Sequence, residues 1–459
     1  MLKKNDTFDL EIYDITNLGF GVGKCDGQIV FVSGAVPGDK ARVKVIKINK
    51  SYAIARLERL ISPSEKRCST NCNVTQCKSC AYKELTYSHE LTLKENTIKS
   101  AFLKEGLGEV KVMPTVPSPK VSEYRNKAQY PVAKDKNGEY VIGFYAPKSH
   151  RVTEAAACPI APLVFAEINE TLRTFFKEES YSVYDEESGE GLLRHIYLRR
   201  GEVSGEILLT VVINGKTLKN SDRLVSVIRD RFPDVVGILL NENRENTNVI
   251  LGEKYHLLYG REFICDTLSG VRLKITAPSF YQVNHASTEL LYAKAKELAA
   301  LQKSDTLLDL FCGIGSIGLS MASDTGELIG IEIVPSAVEC ARENAACAGL
   351  DNAYFFTGDA AETENLLLGA EKELGRKIEP DVIVLDPPRA GCDEKLVDFV
   401  SRLSPKRIVY ISCNPTTLAR DVKRFSENGF FTDTVYGFDL FPHTGHVESV
   451  VCLTHTFNN

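Results

Sequence analysis

Apolar and polar residues alternate from the start of the chain. Phe8-Asp-Leu-Glu-Ile-Tyr-Asp-Ile15, Gly27-Gln-Ile-Val-Phe-Val32 and Ala41-Arg-Val-Lys-Val-Ile-Lys-Ile48 follow the two-residue period of half-buried strands. Turn clusters, Asn17-Leu-Gly-Phe-Gly-Val-Gly23 and Pro37-Gly38, separate them. Five such strands in residues 1–60 predict a small barrel of the OB type, a shape suited to RNA. Over residues 85–107 the period becomes helical, with Leu91, Ile98, Ala101, Phe102 and Leu103 among charged neighbours. Pro114, Pro117 and Pro119 then mark a linker, so residues 85–120 read as helix plus linker. Residues 121–265 mix strand runs (206–213, 235–240) with helical stretches (about 161–178 and 219–231). With residues 61–84 they predict a middle α+β domain. From residue 271 to 459 helix and strand alternate, with strands expected at 306–311, 327–333, 353–357, 381–386, 407–412, 434–438 and 449–455. That rhythm predicts an α/β fold with a doubly wound, mainly parallel sheet.

The chain has 459 residues, enough for two to four domains at ~150 residues each. No apolar run approaches the ~20 residues of a membrane helix, and the first residues lack the apolar core of a signal peptide. A cytoplasmic location without membrane contact is the expectation, and a monomer the expected state. A net charge of −6 disfavours RNA binding by the surface as a whole. A local patch remains open: Lys40, Arg42, Lys44, Lys47, Lys50, Arg56 and Arg59 stand against Glu58 alone. Such a run is either a phosphate-binding face or simply a solvated one. Thirteen cysteines, an odd number, with no sign of an oxidising compartment, argue against disulfides. Cys68, Cys72, Cys77 and Cys80 crowd into one short stretch at metal-site density.

Three places carry chemistry. Cys413 follows the strand 407–412, at the carboxyl end, where open sheets hold their active groups. Asn414-Pro415 ends that strand and Thr416 is a candidate cap for the next helix. Asp309-Leu-Phe-Cys-Gly-Ile-Gly-Ser-Ile-Gly318 follows a strand and opens a helix, so Gly313 and Gly315 allow a close backbone approach to a cofactor. Glu332 and Asp359 end the next two strands, where carboxylates accept from ribose hydroxyls. The glycine pattern alone also fits NAD. The unit Asp-Leu-Phe-Cys-Gly-Ile-Gly315, with Leu385-Asp-Pro-Pro-Arg389 at the fourth strand end, turns the reading to S-adenosyl-L-methionine.

These motifs, with Ser412-Cys-Asn-Pro415 and Phe441-Pro-His-Thr-Gly-His-Val-Glu448, resemble the RNA uracil-5-methyltransferases over nearly the whole chain. The resemblance implies attack of Cys413 on C6 of a uridine, methyl transfer to C5, and removal of the C5 proton by Glu448. It implies cofactor contacts from Gln282, in Ser279-Phe-Tyr-Gln-Val-Asn284, and from Phe311, Ser316, Glu332 and Asp386. Ser316 departs from the asparagine of that position. An N-terminal TRAM-like barrel followed by cysteines resembles the branch acting on 23S ribosomal RNA, with tRNA as the alternative substrate. The family's cysteine pattern implies a [4Fe–4S] cluster on Cys77, Cys80, Cys158 and either Cys72 or Cys68, with Cys72 favoured because Arg67 stands five residues before it. Four thiolates also suit zinc. The rival reading is an RNA-binding iron–sulfur protein without transferase activity.

Overall fold

The computed structural model describes residues 2–455 except 75, 76, 78, 148, 361, 363 and 364. Strands β1 (Thr7–Ile15), β2 (Phe20–Cys25), β3 (Gln28–Ser33), β4 (Lys40–Ile48) and β5 (Tyr52–Ser62) close into a barrel in the order β1-β2-β3-β5-β4. The alternation read from the sequence places Leu10, Ile12, Val30, Val32, Val43 and Val45 inside. It leaves the basic run outside, where β1 partly neutralises it: Glu11 pairs with Lys40 and Asp9 with Arg42. Arg56 pairs with Glu58. Among the described residues Lys44, Lys47 and Lys50 have no ion pair.

The barrel is welded to the segment between β5 and the first helix. The Arg67 guanidinium donates to Asp39 at 2.6 Å, to the Gly34 carbonyl at 3.0 Å and to Glu84. Ile15 and Val36 of the barrel share an apolar cluster with Tyr82 and Leu85. A Cβ on Gly445, far along the chain, would stand 2.6 Å from the Asn17 carbonyl oxygen, so only glycine lets the β1–β2 turn lie there.

Helix α1 (Tyr87–Lys104) comes next, then β6 (Lys111–Val112). The sequence reads this stretch as helix and linker. Its strand instead pairs in parallel with a late strand of the C-terminal sheet, so the chain crosses to that sheet before entering the middle domain. Strands β7 (Lys127–Lys134), β8 (Tyr140–Tyr145) and β9 (Val152–Glu154) precede helix α2 (Leu163–Glu179). After them stand β10 (Leu193–Arg200), β11 (Ile207–Ile213), α3 (Ser221–Arg231), β12 (Val235–Glu242) and β13 (Lys254–Gly260). They form a sheet ordered β13-β12-β11-β10-β7-β8-β9, with Phe165, Ile168, Leu224 and Ile228 of the helices packed on one face. A hairpin, β14 (Phe263–Leu268) and β15 (Val271–Thr276), leads to α4 (His285–Ala299).

The C-terminal sheet contains β16 (Thr306–Leu310), β17 (Glu327–Glu332), β18 (Ala353–Thr357), β19 (Val382–Leu385), β20 (Arg407–Ser412), β21 (Thr434–Phe438) and β22 (Glu448–Leu453). Helices α5 (Ser316–Met321), α6 (Pro335–Cys347), α7 (Leu368–Leu374), α8 (Glu394–Arg402) and α9 (Pro415–Glu427) connect them. The order is β18-β17-β16-β19-β20-β22-β21-β6, parallel through β20 and reversed at β22. Asn414, not Thr416, caps α9: its side chain accepts from the Thr416 N–H at 3.1 Å. Asparagine suits the extended cap position, and Pro415 has the fixed φ that suits the first helical residue. Among the described residues no helix is long and apolar enough to cross a membrane.

Replacing Arg67 by alanine strips the fully buried Asp39 side chain of its cation. Urea unfolding should show a loss of about 3 kcal/mol. Limited proteolysis should cut the barrel from the remainder sooner than in the wild type.

Candidate active site

The strand order reverses between β16 and β19: β17 and β18 lie on one side, β20 and β22 on the other. A crevice at the carboxyl ends of the strands opens at such a point. The loop after β16 turns through three left-handed residues, Phe311 (φ 66°), Gly313 (φ 56°) and Gly315 (φ 82°). For Phe311 that conformation costs roughly 1 kcal/mol, the kind of strain held at ligand sites. The Glu332 carboxylate lies against this loop, accepting from the Gly313 N–H at 3.1 Å and the Val334 N–H at 2.9 Å. Ser316 shares a 2.9 Å hydrogen bond with the Tyr292 hydroxyl. Asp359 lies just past the end of β18. Gln282 is nearly buried before α4, and its carbonyl accepts from Asn126 of the middle domain at 2.9 Å.

Asp309 is a group that sequence reasoning quoted without a role. It is buried, with one oxygen accepting from the Gly318 N–H at 2.9 Å and the other without a partner among the described residues. Burial pushes its carboxyl up to about 8, with Asp386 and Glu332 adding to the rise.

β22 pairs antiparallel to β20 with Ser449 opposite Ser412, which sets the start of β22 beside the end of β20. Glu448 therefore stands next to Cys413. Glu448 is 3% exposed. Burial pushes its carboxyl up to about 8, Asp386 adds to this, and Arg389 opposes it. Asp386 is raised to about 7 by burial. Burial also raises the Cys413 thiol, as do Glu448 and Asp386, while Arg389 lowers it by its charge and a hydrogen bond. Arg389 is thus a cation acting on both Glu448 and Cys413, a role the sequence reading missed. A cation three residues after Asp386, in a loop made short by two prolines, was the available signal. Its loop is pinned to α9: the Arg389 carbonyl accepts from Asn414 at 3.1 Å, and Arg420 donates to the Ala390 carbonyl at 2.8 Å.

Cys72, Cys77, Cys80 and Cys158 line one cavity of about 550 Å³ with Cys68, Arg125 and Lys127. Burial pushes the Cys80 thiol up to about 12, and Cys158, Cys77 and Cys72 add to it. Cys158 is raised by burial, with Cys77 and Cys72 again adding to the rise. The Cys68 thiol, on the same cavity, donates to the Leu85 carbonyl at 3.0 Å. Among the described residues no three His, Cys, Asp or Glu side chains form a group able to hold a metal ion.

A family model for tRNA (uracil-5-)-methyltransferase matches residues 86–456, and a TRAM domain model matches residues 2–57. The chain belongs to the tRNA (uracil-5-)-methyltransferase family. It is 39% identical over 459 residues to an uncharacterized RNA methyltransferase of Bacillus cereus, covering 99% of this chain and 97% of that one. It is 36% identical over 455 residues to another from Clostridium tetani, covering 99% and 97%. In structure it is similar to a Pyrococcus abyssi tRNA (uracil-54, C5)-methyltransferase in complex with S-adenosyl-L-homocysteine. That match has a TM-score of 0.78 and 29% identity, and covers 97% of this chain and 100% of that one. The protein is accordingly an S-adenosyl-L-methionine-dependent RNA methyltransferase with an N-terminal TRAM barrel.

The buried carboxyls give this methyltransferase a definite pH response. Glu448, Asp386 and Asp309 have ordinary values of 4.5, 3.8 and 3.8, and stand at about 8, 7 and 8 when folded. Between these limits the folded state binds more protons than the unfolded one, so stability falls as pH rises. The melting temperature of the ligand-free protein should drop between about pH 5 and pH 8. Glu448→Gln should flatten that slope.

Proposed function

We propose that the enzyme methylates C5 of a uridine in 23S ribosomal RNA, with Cys413 as nucleophile and Glu448 as the base. The observation that carries this reading is the adjacency of Cys413 and Glu448 at the paired ends of β20 and β22, with Arg389 acting on both. C5 of uracil is too poor a nucleophile to accept a methyl group directly. The Cys413 sulfur bonds to C6, and the electrons of the C5–C6 double bond move toward O4 as an enolate. Arg389 favours the thiolate that begins this step. S-adenosyl-L-methionine, when bound, supplies the methyl group to C5. Gln282, just before α4, and Phe311, Gly313, Gly315, Ser316, Glu332, Asp359 and Asp386, on the loop and strand ends of the crevice, are its proposed holders. The Glu448 carboxylate then takes the C5 proton, the ring regains its double bond, and the bond from C6 to sulfur breaks.

The choice of ribosomal RNA rests on the barrel followed by the cysteine cavity. A second reading, a tRNA uridine, draws on the full-length likeness to the Pyrococcus abyssi enzyme. Mapping 5-methyluridine in 23S RNA and tRNA from cells without the protein decides between them. For the cysteine cavity we propose a [4Fe–4S] cluster on Cys72, Cys77, Cys80 and Cys158. The four thiols line one cavity, and Cys72, Cys77 and Cys158 each add to the rise of the Cys80 thiol, which supports a shared centre; the family resemblance favours iron and sulfur over zinc. A cubane there would join residues 72–80 to the middle domain at Cys158.

Cys413→Ala should abolish methylation while keeping cofactor affinity, and RNA carrying 5-fluorouridine should trap the wild type covalently, because fluorine cannot leave as a proton. Turnover by Cys413→Ala would overturn the nucleophile. Protein purified without oxygen should be brown with about four irons per chain. Cys80→Ser should lose that iron and Cys68→Ser should keep it; colourless protein with one zinc would favour the structural-zinc alternative.

A further inference from the structure

The segment that leads into Glu448 is held by a buried ionic trio. The Lys94 side chain is wholly buried in α1. Its ammonium donates to Glu90 at 2.7 Å, to Asp439 at 2.6 Å and to the Phe441 carbonyl at 3.1 Å. Both carboxylates are also wholly buried, and each grips the same turn again. Asp439 accepts from the Phe441 N–H at 3.0 Å, and Glu90 accepts from the His443 N–H at 2.7 Å. His443 has a φ of 69°, a strained conformation for a non-glycine residue, so this grip holds the turn in a shape it would not choose alone. Replacing such a trio by apolar side chains is often neutral or stabilising, so bulk stability does not explain it. What it supplies is direction. Five residues beyond His443, Glu448 has to meet a proton on a substrate carbon, where a displacement of about 1 Å costs on the order of a hundredfold in rate.

We infer that Lys94 is a positioning residue for the proton-removal half of the reaction. Clamped between Glu90 and Asp439, it fixes the turn 439–443 and so the place of Glu448 opposite Cys413. This rests on Glu448 being the base. Cys413 is placed separately by Asn414 and α9, and the cofactor loop by β16 and Asp309. Loss of Lys94 should therefore impair elimination and spare methyl transfer.

The test uses the full-length protein, unmodified rRNA and cofactor carrying a labelled methyl group. It measures methyl transfer and release of the methylated covalent adduct separately. In Lys94→Met, release should slow at least tenfold, the adduct should accumulate, and transfer should stay near the wild-type rate. Glu90→Gln keeps the acceptor for both Lys94 and His443, and should release normally. If Lys94→Met does not fold, Lys94→Met/Glu90→Gln, which removes the surplus charge, should stall in the same way. Folded variants with both steps unchanged, or both slowed equally, overturn the inference. Glu448→Gln is the control. If it traps no methylated adduct, the base assignment falls and this inference with it. If it does trap and the Lys94 variants do not, only the inference falls.

Discussion

One reversed strand governs the active site. β16 to β20 run parallel, so their carboxyl ends share one rim of the sheet. A side chain at the start of a further parallel strand would lie at the opposite rim, about 17 Å away for a strand of six residues. β22 runs the other way, and its first residue arrives where β20 ends. A carboxyl at a strand start and a thiol past a strand end become neighbours only through that reversal. The short β21, the turn after it and the edge strand β6 are the means of bringing the chain back in the right direction.

The reversal brings an electrostatic burden. Glu448 and Asp386 enter a region where neither ionises readily, and they lift the Cys413 thiol as well. Left alone, these groups would hold their protons. Arg389 opposes this from the loop after β19, and α9 fixes that loop through Asn414 and Arg420. The same surroundings that make a carboxylate costly also make it a stronger base once formed, which suits the base role proposed for Glu448.

Features encoded within a short stretch were legible in the sequence. The strand and helix periods placed most elements of the C-terminal sheet to within a residue or two, because buried strands are uniformly apolar and helices between them are amphipathic. The glycine loop after β16 and the trio of C-terminal motifs are contiguous stretches, so the sequence displays them directly. What the sequence hid depends on distant partners. β6 is two residues long and exists only because β21 lies beside it. The basic run looks unopposed until β1 brings Asp9 and Glu11 against it. Neither Cys72, one residue short of the family spacing, nor Cys68, three too long, fits it, and the hydrogen bond from Cys68 to the distant Leu85 carbonyl is not legible in the sequence. Lys94 reads as one more exposed helix lysine, since its second carboxylate lies 345 positions later.

That separation bears on how the protein is made. Synthesis delivers the barrel, α1 and the cysteine segment first, and such N-terminal parts fold while the rest is still being built. Loop-closure entropy grows only logarithmically, so waiting 345 residues for Asp439 costs little more than waiting a hundred. Until then Lys94 has one partner, Gly445 is missing from the Asn17 turn, and β20 is an open sheet edge able to pair with another chain. β22 is therefore both the carrier of Glu448 and the cap on that edge. Without β22 the β20 edge stays exposed and Glu448 is absent from beside Cys413, so one strand both covers the flank and brings the carboxyl to the thiol.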